Sequence, residues 1–156
     1  MAKEELMTHL FKIMEKRFKN WKYPKIREGK LTEYNWMVRH KKNLKLGKKT
    51  DIGAFVYLNA YSGIIIEDYV QIGAGTKIYS VDTISNKKGR VILKKNSKIG
   101  ANSVILPDVV VGENSIVGAC SVIRYGTNIP SNEIWIGVPA KKIGEVKNGK
   151  RKYLKK

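Results

Sequence analysis

Cysteine, histidine, proline and acidic side chains are all scarce in this chain: one, two, four and 13 respectively among 156 residues. Each shortage excludes something. A lone Cys120 closes no intrachain disulfide, which fits a reducing compartment and leaves packing and hydrogen bonds to hold the fold. His9 and His40 cannot give one metal ion three imidazoles, and no Cys/His cluster at ligand spacing replaces them, so no metal is expected. No apolar run approaches the ~18 residues of a membrane span, and Met1-Ala2-Lys3-Glu4-Glu5 does not begin like a secretory leader; a cytoplasmic location is expected.

The shortage of acid leaves 31 Lys+Arg unbalanced and a formal charge of +18. Such an excess raises a nucleic-acid or anionic-surface binding module as one function class. The lysines, however, are spread over both ends, the loops and the repeat, without a nucleic-acid motif. A basic surface suited to small anionic substrates is the simpler expectation. The length fits one domain.

What the chain does have is a period of six. Leu46, Ile52 and Leu58 open it; Ile66, Ile72, Ile78 and Ile84 follow a two-residue slip; Leu93, Ile99, Ile105, Val111, Val117, Ile123 and Ile129 follow an insertion. Glycine often comes next (Gly47, Gly53, Gly73, Gly100, Gly112, Gly118), and four residues after each aliphatic stands a small or β-branched residue, Thr50, Thr76, Ser97, Ser103, Ser115 and Ser121 among them. A chain that turns a corner every six residues satisfies both preferences, with three short strands per triangular coil and the aliphatics pointing inward. Glycines are expected at the corners because a left-handed backbone costs them little. An alternating sandwich gives no reason for Gly and Ser/Thr to hold a fixed phase over six residues. The expected fold is all-β: a single-stranded left-handed parallel β-helix over 46–137 with a loop near 84–91, preceded by a helix and lead-in (1–45) and followed by a turn and basic tail (138–156).

The repeat, together with Ile136-Gly137-Val138-Pro139-Ala140-Lys141-Lys142-Ile143, resembles the hexapeptide-repeat acyltransferases, in particular the sugar and sugar-nucleotide N- or O-acetyltransferases. The resemblance covers roughly residues 38–146. It implies an acetyl-CoA-dependent enzyme, a homotrimer with its site between neighbouring subunits, and CoA lying in the groove where two β-helices meet. It further implies that Gly100, Ala101, Gly118 and Ala119 touch the pantetheine arm, and that Ala140, Lys141 and Lys142 meet the nucleotide end, where two cations beside phosphates make sense as charge-assisted donors. A purely architectural β-helix would not need that ending.

Asp82 stands where the repeat expects a small residue, immediately before the insertion, so the acceptor pocket is expected near Tyr79, Ser80, Asp82 and the loop. Asp82 reads equally as a general base and as a turn-capping carboxylate. Many relatives use a His base, yet neither His9 nor His40 lies in the coils. Asp82, His40 reaching across an interface, or no side-chain base at all remain the options. The last suits an amine, which is already nucleophilic, so N-acetylation of an amino-sugar nucleotide in a surface-polysaccharide pathway is preferred over O-acetylation. Cys120 reads as a small corner residue rather than a nucleophile.

Residues 3–19 read as an amphipathic helix with Leu6, Leu10, Met14 and Phe18 on one stripe. Packing against the β-helix is expected in preference to a membrane surface. The Lys-rich tail from Lys147 onward is expected to be loose or marginally helical.

Overall fold

The structure, a computed structural model, describes residues 2–155. It has the expected left-handed parallel β-helix, with five stacked coils and three faces. Face A stacks Met37–Arg39, Tyr57–Asn59, Lys77–Tyr79, Val104–Ile105 and Val122–Ile123. Face B stacks Leu44–Leu46, Ile64–Ile66, Val91–Leu93, Val110–Val111 and Asn128–Ile129. Face C stacks Asp51–Ile52, Gln71–Ile72, Lys98–Ile99, Ile116–Val117 and Glu133–Gly137. Neighbouring coils pair in parallel with aliphatic on aliphatic, as in Ile78↔Ile105↔Ile123 and Ile72↔Ile99↔Val117. Each of these side chains is buried, which favours folding by about 1.5–3 kcal/mol apiece. Trp36 fills the start of the prism, and Trp135, paired with Val117, packs on the core at its far end.

Two details differ from the sequence reading. Ile84 is in phase but 97% exposed. The chain leaves the coil after Tyr79 and forms a small ribbon, Val81–Asp82 against Lys87–Lys88, before returning at Val91–Leu93. Ile64 and Val91 supply additional inward side chains instead. The glycines that follow the aliphatics also serve a different purpose. Gly47, Gly53, Gly73, Gly100, Gly112 and Gly118 are not among the positive-φ residues; left-handed corners are taken instead by Asn96, Asn102, Asp108, Asn114, Cys120 and Asn132. Those glycines are needed because the next coil is too near: a Cβ on Gly100 would lie 2.3 Å from the Ala119 nitrogen. Asparagine tolerates the left-handed region and here adds a ladder, the Asn96 amide donating to Asn114 Oδ1 and the Asn114 amide to Asn132 Oδ1.

The N-terminal helix α1 (Lys3–Arg17) lies beside the β-helix with Leu6, Leu10 and Met14 turned toward the protein and Met7, Phe11 and Ile13 outward. Buried Phe18 meets Tyr69 edge-on; Glu15 bonds Lys49 Nζ at 2.6 Å; Arg17 pairs with Asp51; and Trp21 Nε1 donates to the Thr50 carbonyl at 2.7 Å. No described helix is long and apolar enough to cross a membrane.

The basic tail is not loose. Ala140–Lys147 runs antiparallel to Glu133–Gly137, and Lys150–Tyr153 pairs in turn with Ala140–Lys147. The turn between them is Asn148-Gly149, both at positive φ, the dipeptide that two-residue hairpins favour. A register shift at Ile134/Trp135 lets this C-terminal hairpin fold back over the outer side of face C, where Arg151 lines a cleft with Lys98 and Ile116.

Candidate active site

Two groups of sequence-predicted residues occupy two different edges of the prism. At the edge between faces C and A, Gly53-Ala54, Gly73-Ala74, Gly100-Ala101 and Gly118-Ala119 stack coil upon coil. A Cβ on Gly73 would meet the Ala101 nitrogen at 2.4 Å, so the stack tolerates nothing larger than glycine there. Its outer surface is correspondingly lined by methyl groups and backbone. The neighbouring amides are occupied: Gly100 N–H donates to Val117 O and Cys120 N–H to Ala101 O. Those of Ala101 and Ala119 donate to no protein acceptor among the described residues. Buried hydroxyls brace the same edge, Thr76 donating to Gly100 O and Ser103 to Gly118 O.

Above this ladder Ile136 lies against Gly118, and Ala140 packs on the core. Lys141 is exposed. Lys142 is engaged with Glu133 at 3.0 Å and Glu145 at 3.1 Å, and these carboxylates raise its pKa above the usual lysine value. Of the two cations in the ending, only Lys141 presents a charge unpaired among the described residues. Sequence reading missed three others. Lys98, Arg17 and Arg151 share a cleft of about 350 Å³ whose floor includes Gly73, Gly100 and Gly118. They come from a coil, a helix and a hairpin, separations that no local motif could reveal.

At the edge between faces A and B sit His40, Tyr61, Ser80 and the loop. His40 takes a left-handed backbone, donates its N–H to Glu28 at 2.7 Å, and sets its ring edge-on to Tyr61 at 5.2 Å. The Lys41 and His40 amides hold the Glu28 pKa below the ordinary carboxylate value. Ser80 is fully buried, accepting from Ser62 N–H and donating to Asn59 O, both at 2.8 Å, so its hydroxyl ties neighbouring coils together. Asp82 accepts from the Ile84 N–H at 3.0 Å and from the Ser85 hydroxyl, the arrangement of a turn-capping carboxylate. The Ser85 bond is the main cause of its lowered pKa, which makes it a weaker base. Tyr79 stands beside Tyr57 with ring centroids 5.8 Å apart, and burial pushes its phenol pKa up. Lys87 reaches from the loop over the Tyr125 ring at 4.7 Å. Cys120 is an exposed corner residue. Among the described residues no group of three or more His, Cys, Asp or Glu could hold a metal ion.

The two edges are separated by the width of face A, roughly 15 Å for a five-residue span of strand. Within one copy, therefore, the Gly-Ala ladder does not meet Tyr79, Asp82 or His40.

The six-residue repeat and the stacked coils together define a hexapeptide-repeat β-helix fold. Residues 90–125 match the family model described as bacterial transferase hexapeptide (six repeats). The chain is 31% identical over 117 residues to the dTDP-4-amino-4,6-dideoxy-D-glucose acyltransferase of Escherichia coli, covering 61% of this chain and 60% of that one. Among solved structures it is similar to a hexapeptide-repeat acetyltransferase of Vibrio cholerae complexed with acetyl-CoA, with a TM-score of 0.66, 25% identity, and coverage of 72% of this chain and 65% of that one. It is also similar to AntD, a Bacillus cereus N-acyltransferase solved in a mutant form with dTDP and coenzyme A, with a TM-score of 0.63, 26% identity, and coverage of 74% and 79%. The chain spans less than two thirds of the length of the first curated relatives it matches.

Proposed function

We propose that this protein is an acetyltransferase that moves an acetyl group from acetyl-CoA to the amine of an amino-sugar nucleotide. The observation that carries this reading is the Gly-Ala ladder with the Ala101 and Ala119 amides directed to no protein acceptor, a surface suited to a slender amide-bearing arm. The likeness to proteins solved with acetyl-CoA, and with coenzyme A and dTDP, supports both the donor and the class of acceptor. CoA supplies the activated thioester. The chain's own task is to hold that arm along Gly100, Ala101, Gly118 and Ala119, to offer amide donors where the carbonyl oxygen gains charge, and to keep the acceptor amine in line.

In the reaction the amine nitrogen forms a bond to the acetyl carbon while the carbon–sulfur bond breaks. The amine's proton leaves with the thiolate or to solvent. A protein base is not required for a neutral amine, and the engaged, acidified Asp82 suits loop shaping better than proton removal. Tyr79 with Tyr57 would offer the acceptor an aromatic surface.

A complete site needs a second copy, because the ladder and the acceptor loop lie on different edges. A homotrimer in the cytoplasm is the assembly we propose. Its contacts are favoured by half-buried aliphatics on the outer side of the coils: Ile65, Ile92 and Val110 on face B, Val104 and Val122 on face A. Product analysis of the purified chain with acetyl-CoA and a panel of amino sugars, amino-sugar nucleotides and plain sugars tests the reading. Thiol release with an N-acetylated sugar nucleotide as product is expected. Thiol release only with plain sugars would replace the amine by a hydroxyl, and no release with any acceptor would remove the activity.

A further inference from the structure

The first coil pairs with the second on one side only, and the lead-in 20–36 closes the side left open. Gly29 N–H donates to Val38 O, Thr32 N–H to Trp36 O, and Trp21 Nε1 to Thr50 O, so this segment covers backbone groups that would otherwise form a free edge. Closing the end accounts for the course of the segment and for the buried Trp36. It does not account for the outward side chains. Tyr23, Leu31 and Tyr34 are exposed, and Phe55, whose N–H donates to Asn35 O at 2.7 Å, adds a fourth apolar residue to the same end.

Phe55 is anomalous in a second respect. It takes a left-handed corner at φ +61, where the later corners carry Asn96, Asn102, Asn114 and Asn132. Bulky residues rarely adopt that conformation. Tyr69 is also left-handed, but its ring meets buried Phe18 edge-on. Phe55 has no aromatic partner among the described residues and is 69% exposed. Neither backbone preference nor packing within the chain favours phenylalanine at this corner, and strain without an internal return points to an external contact.

Charge completes the picture. Lys19, Lys22, Lys25, Arg27 and Lys30 are exposed on this segment, and none has a carboxylate partner among the described residues. The carboxylates nearby are engaged: Glu28 accepts from the His40 and Lys41 amides, Glu33 from the Lys25 amide, and Asp51 pairs with Arg17. Between the cations and the rings lies a cleft of about 560 Å³, walled by Trp21, Pro24 and Tyr34 with Lys19 and Lys22 at its rim.

We propose that the first-coil end of the prism docks on an anionic lipid surface, with Phe55, Tyr34, Tyr23 and Leu31 entering the headgroup layer and the lysines meeting lipid phosphates. Lysine stems and aromatic rings suit the boundary between charged headgroups and acyl chains, and each cation near an anionic leaflet adds attraction. Aliphatic Leu31 has no stacking surface for a base, and the chain has no nucleic-acid motif, so lipid is favoured over RNA or DNA. Docking by the end leaves faces A, B and C clear of the membrane. The inference stands on this end of the molecule and does not rest on acetyl transfer.

The test is sedimentation of the full chain with vesicles of phosphatidylcholine alone or mixed equally with phosphatidylglycerol, at about 0.1 M salt. The wild-type chain is expected to bind the mixed vesicles at least about tenfold more tightly than the neutral ones, and to lose affinity as salt rises. Lys19→Gln with Lys22→Gln should weaken binding about tenfold. Lys94→Gln with Lys95→Gln removes equal charge from a corner of the third coil and should leave binding near wild type. No preference for the mixed vesicles, or equal losses in the two double variants, overturns the proposal.

Phe55→Asn separates docking from folding, because asparagine suits the left-handed corner. Its thermal midpoint should equal or exceed that of wild type, while vesicle binding falls about tenfold with the loss of one inserted ring. A lower midpoint with vesicle binding intact would make Phe55 a structural residue and overturn the assignment. Two further results would also overturn it in favour of another partner. One is a lipid-free self-association that Phe55→Asn abolishes, which makes the surface a contact between copies. The other is retention on single-stranded nucleic acid, lost in the Lys19 and Lys22 double variant, by a chain that ignores vesicles.

Discussion

The glycine after each inward aliphatic is the residue on which the stack turns. Its role is clearance: at Gly100 the nearest atom to an added Cβ is backbone, which cannot rotate away. Gly100→Ala should therefore destabilise the fold by about 3 kcal/mol, read as a lower urea midpoint at similar slope. An unchanged midpoint would mean that the coils can separate. The periodicity of glycine was legible in the sequence; its reason was not, because an interval along the chain says nothing about the distance between coils. Asparagine at the left-handed corners carried a signal that was available in Asn96, Asn114 and Asn132 at 18-residue spacing. Asp82 belongs to the same scale. With its pKa lowered in the folded chain, it contributes stability above its unfolded value, and that contribution fades as pH falls through the folded one. Asp82→Asn should leave turnover within about tenfold of wild type and remove this acid-side step; a larger loss with normal folding would restore it as the base.

Among the elements, the coils and α1 were the most readable, since both announce themselves by apolar period. The stripe Leu6, Leu10, Met14 and Phe18 is the side of the helix that the protein covers. The C-terminal hairpin was hidden by its composition. Lys150, Arg151 and Lys152 show no apolar alternation, and the strand is defined by pairing and by the Asn148-Gly149 turn. Gly149→Val places a β-branched residue at φ +71 and against Leu10. It should strip amide protection from Lys150–Tyr153 in hydrogen exchange while the coils stay protected. Equal loss across the coils would show that the hairpin is inseparable from the β-helix. The loop ribbon illustrates the converse: Ile84 fits the period, but pairing of Val81–Asp82 with Lys87–Lys88 carries it into solvent. For the candidate site, the Gly-Ala edge followed from the repeat, whereas the Arg17, Lys98 and Arg151 cluster needed three folded elements to exist.

For the molecule as a whole, the arrangement of edges argues for assembly. A trimer in solution is expected by light scattering, its mass about three times 17.7 kDa. A monomer with full activity would mean that ladder and loop need not meet. The charge of +18 acts at the same scale, and added inert salt should raise the unfolding midpoint by screening self-repulsion.

Trp36 at the first coil and Trp135 at the last put an indole at each extremity of a one-dimensional stack. Stability in such a stack is a sum over nearest neighbours, so its extremities can fray independently. Replacing Trp21 and either of those two by phenylalanine would leave a single emitter at a chosen terminus. The order in which the rungs come apart could then be followed optically, without any added label.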